Sequence, residues 1–472
     1  ASGMRLRWEL LWMSAGEGGV GHLAQPGEDG QNKASCLESD HPVQASSMNS
    51  VRIRYSLLAI FLCAPPSLAA QALPRALPED VGMSSSRLER LDDALQKYVD
   101  EDRLPGGVAV VLRHGQVVYQ NAFGLRDREV GDAMQATDRF RIASQSKALV
   151  SVAIMMLQEE GSLLISDQVS RYLPAFSNTT VAVADGDDDY EVVEADRTIT
   201  LRDLLTHTAG VGYGGGAGAA EWVEAEIQGW YFAHRDEPIR ATVDRIASLP
   251  FDRQPGDAFV YGYSTDILGA VVEAVSGLTL DDFLRSHIFE PLEMKSTGFY
   301  LDPDLRDDLA TVYSLRPGQD LVRAPDGPGM QTQGQYVDGP RMSYSGGAGL
   351  VSTAGDYARF LQTLLNGGTL NGKRVLSPKS VELMTTNHIG DLWGTAEGFG
   401  LGFSVVRDLG ARGQLGSVGE FGWGGAYHST YWVDPQEELV VVYLTQVIPA
   451  SGLDDHARVR ALIYQAIVDE GF

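Results

Sequence analysis

Leu88, Leu91, Leu95 and Val99 recur at helical spacing behind three serines, Ser84, Ser85 and Ser86, any of which suits an N-cap. That pattern predicts an amphipathic helix over 84–100. Two β-branched runs follow, 107–112 and 116–120, joined by Arg113-His114-Gly115, which is the pattern of an antiparallel hairpin. Near the other end, 427–434 and 438–445 read as a second strand pair around Asp434-Pro435. A terminal helix then carries Val459, Leu462, Ile463, Ala466 and Ile467 on one stripe. Between these ends, 145–380 is mostly helical in pattern: 148–158 stopped by Gly161, 201–207, 264–275 stopped by Gly277, 280–289, and 356–365 stopped by Gly367-Gly368. Strands from both chain ends around an inserted helical region predict an α+β fold, with an antiparallel sheet flanked by helices and a cleft where the halves meet.

The segment from Met48 has Arg52 and Arg54, an apolar run over 55–64, and small residues up to Ala70. These are the three regions of a secretory signal peptide, cut near Ala70, and they predict a periplasmic or secreted protein. The apolar run of about ten residues falls short of the roughly 20 that a membrane-spanning helix needs, so no stable membrane anchor is expected. Residues 1–47 show no sustained periodicity and are expected to be a disordered upstream extension. The folded body is then 71–472, with its α/β part over about 80–145 and 340–472 and its helical part over about 146–339.

Composition narrows the chemistry. Acidic residues outnumber basic ones 63 to 37, a net charge of −26, which repels a nucleic-acid backbone. Cys36 and Cys63 both precede the expected mature start, leaving no disulfide, thiolate zinc site or cysteine nucleophile in the body. The run Asp185-Gly-Asp-Asp-Asp189 lacks the spacing and closing Glu of an EF-hand and reads as a solvated turn. No His-Glu-x-x-His, Gly-x-Ser-x-Gly or phosphate-loop motif occurs, so neither a metal nor a cofactor is implied. His207, His388 and His428 leave a Ser-His-Asp triad open, but no motif marks a partner serine.

Three short stretches carry candidate chemistry. In Phe140-Arg-Ile-Ala-Ser144-Gln-Ser-Lys147, the i, i+3 spacing puts a hydroxyl and an amine on one face of a first helical turn, a nucleophile with its activating partner. Lys147 is the only lysine of the chain with serine three residues before it. In Pro255-Gly-Asp-Ala-Phe-Val-Tyr261-Gly-Tyr263, a tyrosine in a Gly-flanked turn before an apolar helix can project into the cleft, making Tyr261 a candidate proton shuttle. In Gly422-Trp423-Gly424-Gly425-Ala426, paired glycines at a strand edge let a substrate approach the backbone, so the Ala426 N–H is a candidate oxyanion donor beside that of Ser144.

This order of motifs resembles the serine β-lactamase-related hydrolases with the class C β-lactamase and penicillin-binding fold, over roughly 80–470. The stretches 200–210 and 346–360 look like that family's framework phrases. Two departures point within the family. The Lys-Thr-Gly triplet that binds a β-lactam carboxylate is replaced by Trp423-Gly424-Gly425, and Tyr263 stands where Asn is expected. Both resemble the family VIII carboxylesterases. The resemblance implies a serine carboxylesterase acting on a small-molecule short-acyl ester, with Ser144, Lys147 and Tyr261 catalytic and Tyr263, Trp423, Gly424 and Gly425 binding substrate. The alternative is a β-lactamase, D-peptidase or other amide hydrolase on the same scaffold. The Gly-rich stretch 210–218 and Trp230-Tyr231-Phe232 are expected as a mobile wall and an acyl or alcohol pocket. The oligomeric state stays open.

Overall fold

Alternation of side chains along two valine-rich strands fixes the architecture. In the computed structural model, which describes residues 73–186 and 189–469, the main sheet has eight strands. They are β1 (Gly106–Arg113), β2 (Gln116–Asp127), β3 (Asp132–Ala133), β4 (Glu397–Phe399), β5 (Ser404–Val406), β6 (Phe421–Gly425), β7 (Ser429–Asp434) and β8 (Leu439–Leu444). Their spatial order is β4-β5-β6-β7-β8-β1-β2-β3, antiparallel throughout. The two chain ends therefore meet in mid-sheet, where Val110 pairs with Val442 and Val111 with Val441.

Because successive strand residues face opposite ways, β1 and β8 feed two separate apolar clusters. Val108, Val110 and Leu112, with Val440, Val442 and Leu444, pack toward the inserted region. Ala109 and Val111, with Val441 and Tyr443, pack toward the terminal helices. Those helices are α1 (Ser85–Asp100), through Leu88, Leu91 and Leu95, and a C-terminal helix, Asp455–Tyr464, through Val459 and Ile463. On the opposite face lie α2 (Ser146–Glu159), α3 (Ser264–Ser276) and α4 (Ala354–Leu365), and α2 is apolar nearly all round, as a helix enclosed on every side must be. The sheet is thus a buried middle layer, and the turn that opens α2 lies against β6, one of its interior strands.

The sequence expectations differ from the structure in several places. The strand expected from Tyr427 begins at Ser429, because Ala426–His428 form the turn after β6, with His428 at φ 59°. The helix expected over 280–289 is α-helical only over Leu280–Leu284 and continues as a π turn, Arg285–Phe289. The inserted region is less helical than its pattern implies. It contains a two-stranded hairpin, Thr180–Ala184 with Tyr190–Glu194, whose connection includes residues outside the described set. The expected upstream extension and export segment also lie outside the described residues. Among the described residues, no helix is long and apolar enough to cross a membrane.

Candidate active site

Ser144 sits in a 3-10 turn, Ala143–Gln145, between the short strand Phe140–Arg141 and α2. The residue before it, Ala143, is fully buried at φ 43°, a left-handed conformation that costs a non-glycine residue free energy and recurs at functional turns. The turn is anchored on both sides. Gln145 Nε2 donates to Ser429 Oγ at 3.0 Å, and Tyr357 Oη donates to the Gln145 carbonyl at 2.9 Å. Strand β6 presses against the same turn: a Cβ on Gly425 would lie 2.5 Å from the Ile142 carbonyl oxygen, so only glycine permits this approach. Ala426 follows directly, which brings its backbone beside the nucleophile turn. The N–H of Ser144 belongs to the first turn of its helix, where no intrahelical acceptor exists.

Lys147 is buried one turn along, with Nζ 3.3 Å from Ser144 Oγ. Nζ also donates to Tyr213 Oη at 3.1 Å and to the Gly347 carbonyl at 2.7 Å. With Tyr213 and the Gly347 carbonyl taking two N–H groups, the remaining tetrahedral position of Nζ faces Ser144 Oγ, where an amine presents the lone pair that can accept a proton. Gly347 is itself held by Asp266 of α3, whose Oδ1 accepts from the Gly347 N–H at 3.1 Å and from Ser345 Oγ at 2.6 Å. Burial raises the Asp266 carboxyl above its ordinary value, and Lys147 opposes the shift.

Tyr261 meets this group by its ring, with Lys147 Nζ 4.7 Å from the centroid. Its oxygen accepts from Trp423 Nε1 at 2.9 Å, which leaves the phenol proton to donate. The segment is fixed from below: His207, at φ 55°, accepts the Val260 N–H at 2.7 Å through its carbonyl and packs its ring 4.7 Å from that of Tyr261. A capping box between Thr200 and Asp203 sets the short helix that delivers His207. Burial, and then Lys147, hold the His207 imidazole well below its usual range, so it stays neutral.

The structure therefore brings Ser144, Lys147, Tyr261, Trp423, Gly424, Gly425 and Ala426 to one place, but two contacts differ from expectation. The hydroxyl bonded to Lys147 is that of Tyr213, whereas Tyr261 is bonded to Trp423. Burial, followed by the neighbouring Tyr261 and Asp266, holds the Tyr213 phenol well above the ordinary tyrosine range, so it remains protonated and positions the lysine. Tyr213 was missed although it is the one side chain with chemistry in the Gly-rich stretch. Tyr263 does not line the cleft: it is fully buried, its hydroxyl donates to the Gly229 carbonyl at 2.6 Å, and its ring stacks on Trp222 at 5.6 Å. It backs Tyr213 edge-on, with centroids 4.9 Å apart. Trp230, Tyr231 and Phe232 are likewise buried core, not a pocket, because Trp230 packs edge-on to Tyr427 and Phe232 against Tyr263. The Gly-rich stretch is packed over much of its length, since side chains on Gly212 or Gly216 would collide with the Asp252 carboxylate, while Gly215 and Ala217 are exposed.

The other histidines are placed elsewhere. His388 Nε2 bonds the Leu383 carbonyl. His428 bonds Asp455 at 2.7 Å and stacks on His456 at 4.0 Å and 18°. Possible ligand atoms of these three lie within 4.8 Å of one another, but near-parallel imidazole planes send their lone pairs side by side instead of toward one centre. That geometry is a hydrogen-bonded stack.

The family model described as Beta-lactamase matches residues 91–465. The chain belongs to the beta-lactamase family. A Mycobacterium tuberculosis protein is 33% identical to it over 380 residues, covering 78% of this chain and 92% of the relative. Esterase EstB of Burkholderia gladioli is 31% identical over 390 residues, covering 80% and 94%. Among solved structures, EstCE1, described as a hydrolase with promiscuous acyltransferase activity, superposes with a TM-score of 0.70 at 30% identity, covering 80% of this chain and 99% of that one. A hydrolase of the beta-lactamase fold with esterase relatives is what this chain is similar to, and its α+β sheet with flanking helices is that fold.

Proposed function

We propose that the protein is a serine carboxylesterase that cleaves short-acyl esters through an acyl-enzyme on Ser144. The observation that carries this reading is the Ser144–Lys147 contact at 3.3 Å lying under Tyr261, itself bonded to an indole where a β-lactamase would present a cationic carboxylate clamp. Ser144 Oγ attacks the ester carbonyl as the Lys147–Tyr261 pair, which enters this step one proton short of full protonation, takes the hydroxyl proton. The tetrahedral oxyanion is held by the N–H groups of Ser144 and Ala426. As the alcohol leaves, Tyr261 returns a proton to its oxygen. Water then attacks the acyl group, gives its proton to the pair, and the carboxylic acid departs with Ser144 restored. Tyr213 and the Gly347 carbonyl keep Lys147 aimed at Ser144 throughout. Trp423, Gly424 and Gly425 form the neutral ledge along which the ester lies. The signal-like segment at 48–70 adds that the enzyme acts in the periplasm or outside the cell, and sequencing the exported protein is expected to find its N-terminus near Gln71.

Parallel assays with p-nitrophenyl butyrate and nitrocefin test the substrate class. Faster ester turnover is expected, and preferential lactam turnover would replace this reading by its β-lactamase alternative. Both activities are expected to vanish in Ser144→Ala.

A further inference from the structure

We propose that the site selects esters of planar aromatic alcohols, through an aromatic wall that Phe259 and Trp393 build beside Tyr261. The inference rests on the esterase reading and names the substrate class for it. Tyr261 protonates the leaving alkoxide, so the alcohol oxygen must come within hydrogen-bond reach of its hydroxyl. The carbon skeleton of the alcohol therefore leaves the reacting carbonyl on the Tyr261 side. On that side the Tyr261 ring lies 5.2 Å from Trp423, Trp423 lies 5.7 Å from Trp393, and Trp393 stacks on Phe259 at 5.0 Å and 19°.

This cluster has two layers. The inner one, His207 and Phe399, is buried at 1% exposure each. The outer one, Tyr261, Trp423, Trp393 and Phe259, is half-buried, so each of these residues retains some surface on the solvent side. This layer includes Tyr261, the group that handles the leaving alcohol.

The wall is also held in advance. Trp393 rides on the loop after Gly390, and Arg407 closes that loop like a clasp. Its Nη1 donates to the Gly390 carbonyl at 2.8 Å and to the Gly394 carbonyl at 3.1 Å, on either side of Trp393, and pairs with Asp391 at 2.7 Å. Asn387 Nδ2 adds a second bond to the Gly390 carbonyl at 3.0 Å. A ring fixed before binding loses little conformational freedom when a ligand stacks on it. Offset or edge-on ring contacts favour a flat aryl group over a saturated ring of similar size. Arg407 is thus a positioning residue, and Trp393 and Phe259 determine specificity.

The test compares kcat/KM for benzyl acetate and cyclohexylmethyl acetate, which share acyl group and bulk but differ in planarity. A parallel acyl-side ratio uses ethyl benzoate and ethyl cyclohexanecarboxylate. In the native enzyme the benzyl ester is expected to be preferred. Trp393→Ala is expected to lower that ratio about five- to tenfold, and Arg407→Ala to lower it in the same direction, while the acyl-side ratio stays constant. A binding arm uses Ser144→Ala, in which benzyl acetate is expected to bind more weakly once Trp393→Ala is added, read by calorimetry. Ester turnover with an alcohol ratio indifferent to both substitutions overturns the inference and leaves the esterase standing. A change confined to the acyl-side ratio overturns it too, by moving the wall to the other subsite. Absence of Ser144-dependent turnover of every ester overturns the esterase reading itself, and benzyl acetate affinity in the binding arm that is indifferent to Trp393→Ala overturns the aromatic wall independently.

Discussion

Asp252 stores a measurable amount of free energy in the loop that carries Tyr213. Its carboxylate lies against Gly212 and Gly216, on either side of that tyrosine, and burial raises it from 3.8 to about 6, with Arg253 as the opposing charge. A displacement of that size corresponds to about 3 kcal/mol at most, reduced by whatever solvent reaches the group. The sign follows from proton counts. Between pH ~4 and ~6 the folded protein holds a proton that the unfolded chain has released, so stability falls as pH rises through this window and stays lower above it. Asp252→Asn keeps the shape and removes the ionisation. For a body of about 400 residues the melting entropy converts 1 kcal/mol to roughly 1 °C. The variant is therefore expected to melt about 1–3 °C above the native protein at pH 8, with the gap closing to under about 1 °C near pH 4. Scanning calorimetry of both proteins across this range reads the difference directly, since groups common to both cancel. A variant less stable than the native protein at pH 8, or a gap that does not change with pH, refutes the argument.

Two further substitutions probe the site. Tyr213→Phe removes the hydroxyl that Lys147 bonds at 3.1 Å, a hydrogen bond contributing about 0.5–1.5 kcal/mol; ester kinetics are expected to show kcat/KM reduced about tenfold, with the melting temperature lowered by only about 1–2 °C. Gly425→Ala forces β6 away from the Ile142 carbonyl, which a Cβ would approach to 2.5 Å; displacing the Ala426 N–H is expected to lower kcat about 10²–10³-fold, the effect of losing an oxyanion donor, while KM changes much less.

Strand and helix positions at the chain ends were legible because their periodicity is dictated by burial: β1 and β8 alternate between two apolar clusters, and α1 shows a single stripe. Ser144 and Lys147 were legible because one helical turn fixes their spacing. Legibility ended where the contact is long-range. Tyr213 lies 66 residues from Lys147 in the chain and sits among glycines, whose pattern announces a loop but not what lies against it. Tyr263 stands two residues after Tyr261 in the turn that enters α3, at φ −73° and ψ 1°, where no periodicity says which tyrosine faces the cleft; its bond to the Gly229 carbonyl decides it. Trp393 and Phe259 stand in irregular segments with no period at all, and only the folded chain brings them together.

The account depends on Ser144 as the nucleophile, and a fluorophosphonate probes that most directly. Its phosphorus forms a bond to an activated serine oxygen with loss of fluoride, and peptide mass mapping then locates the adduct. One adduct per chain on the peptide containing Ser144 is expected, with matching loss of ester hydrolysis and no labelling of Ser144→Ala. Labelling of another residue, or undiminished hydrolysis by Ser144→Ala, would contradict the account.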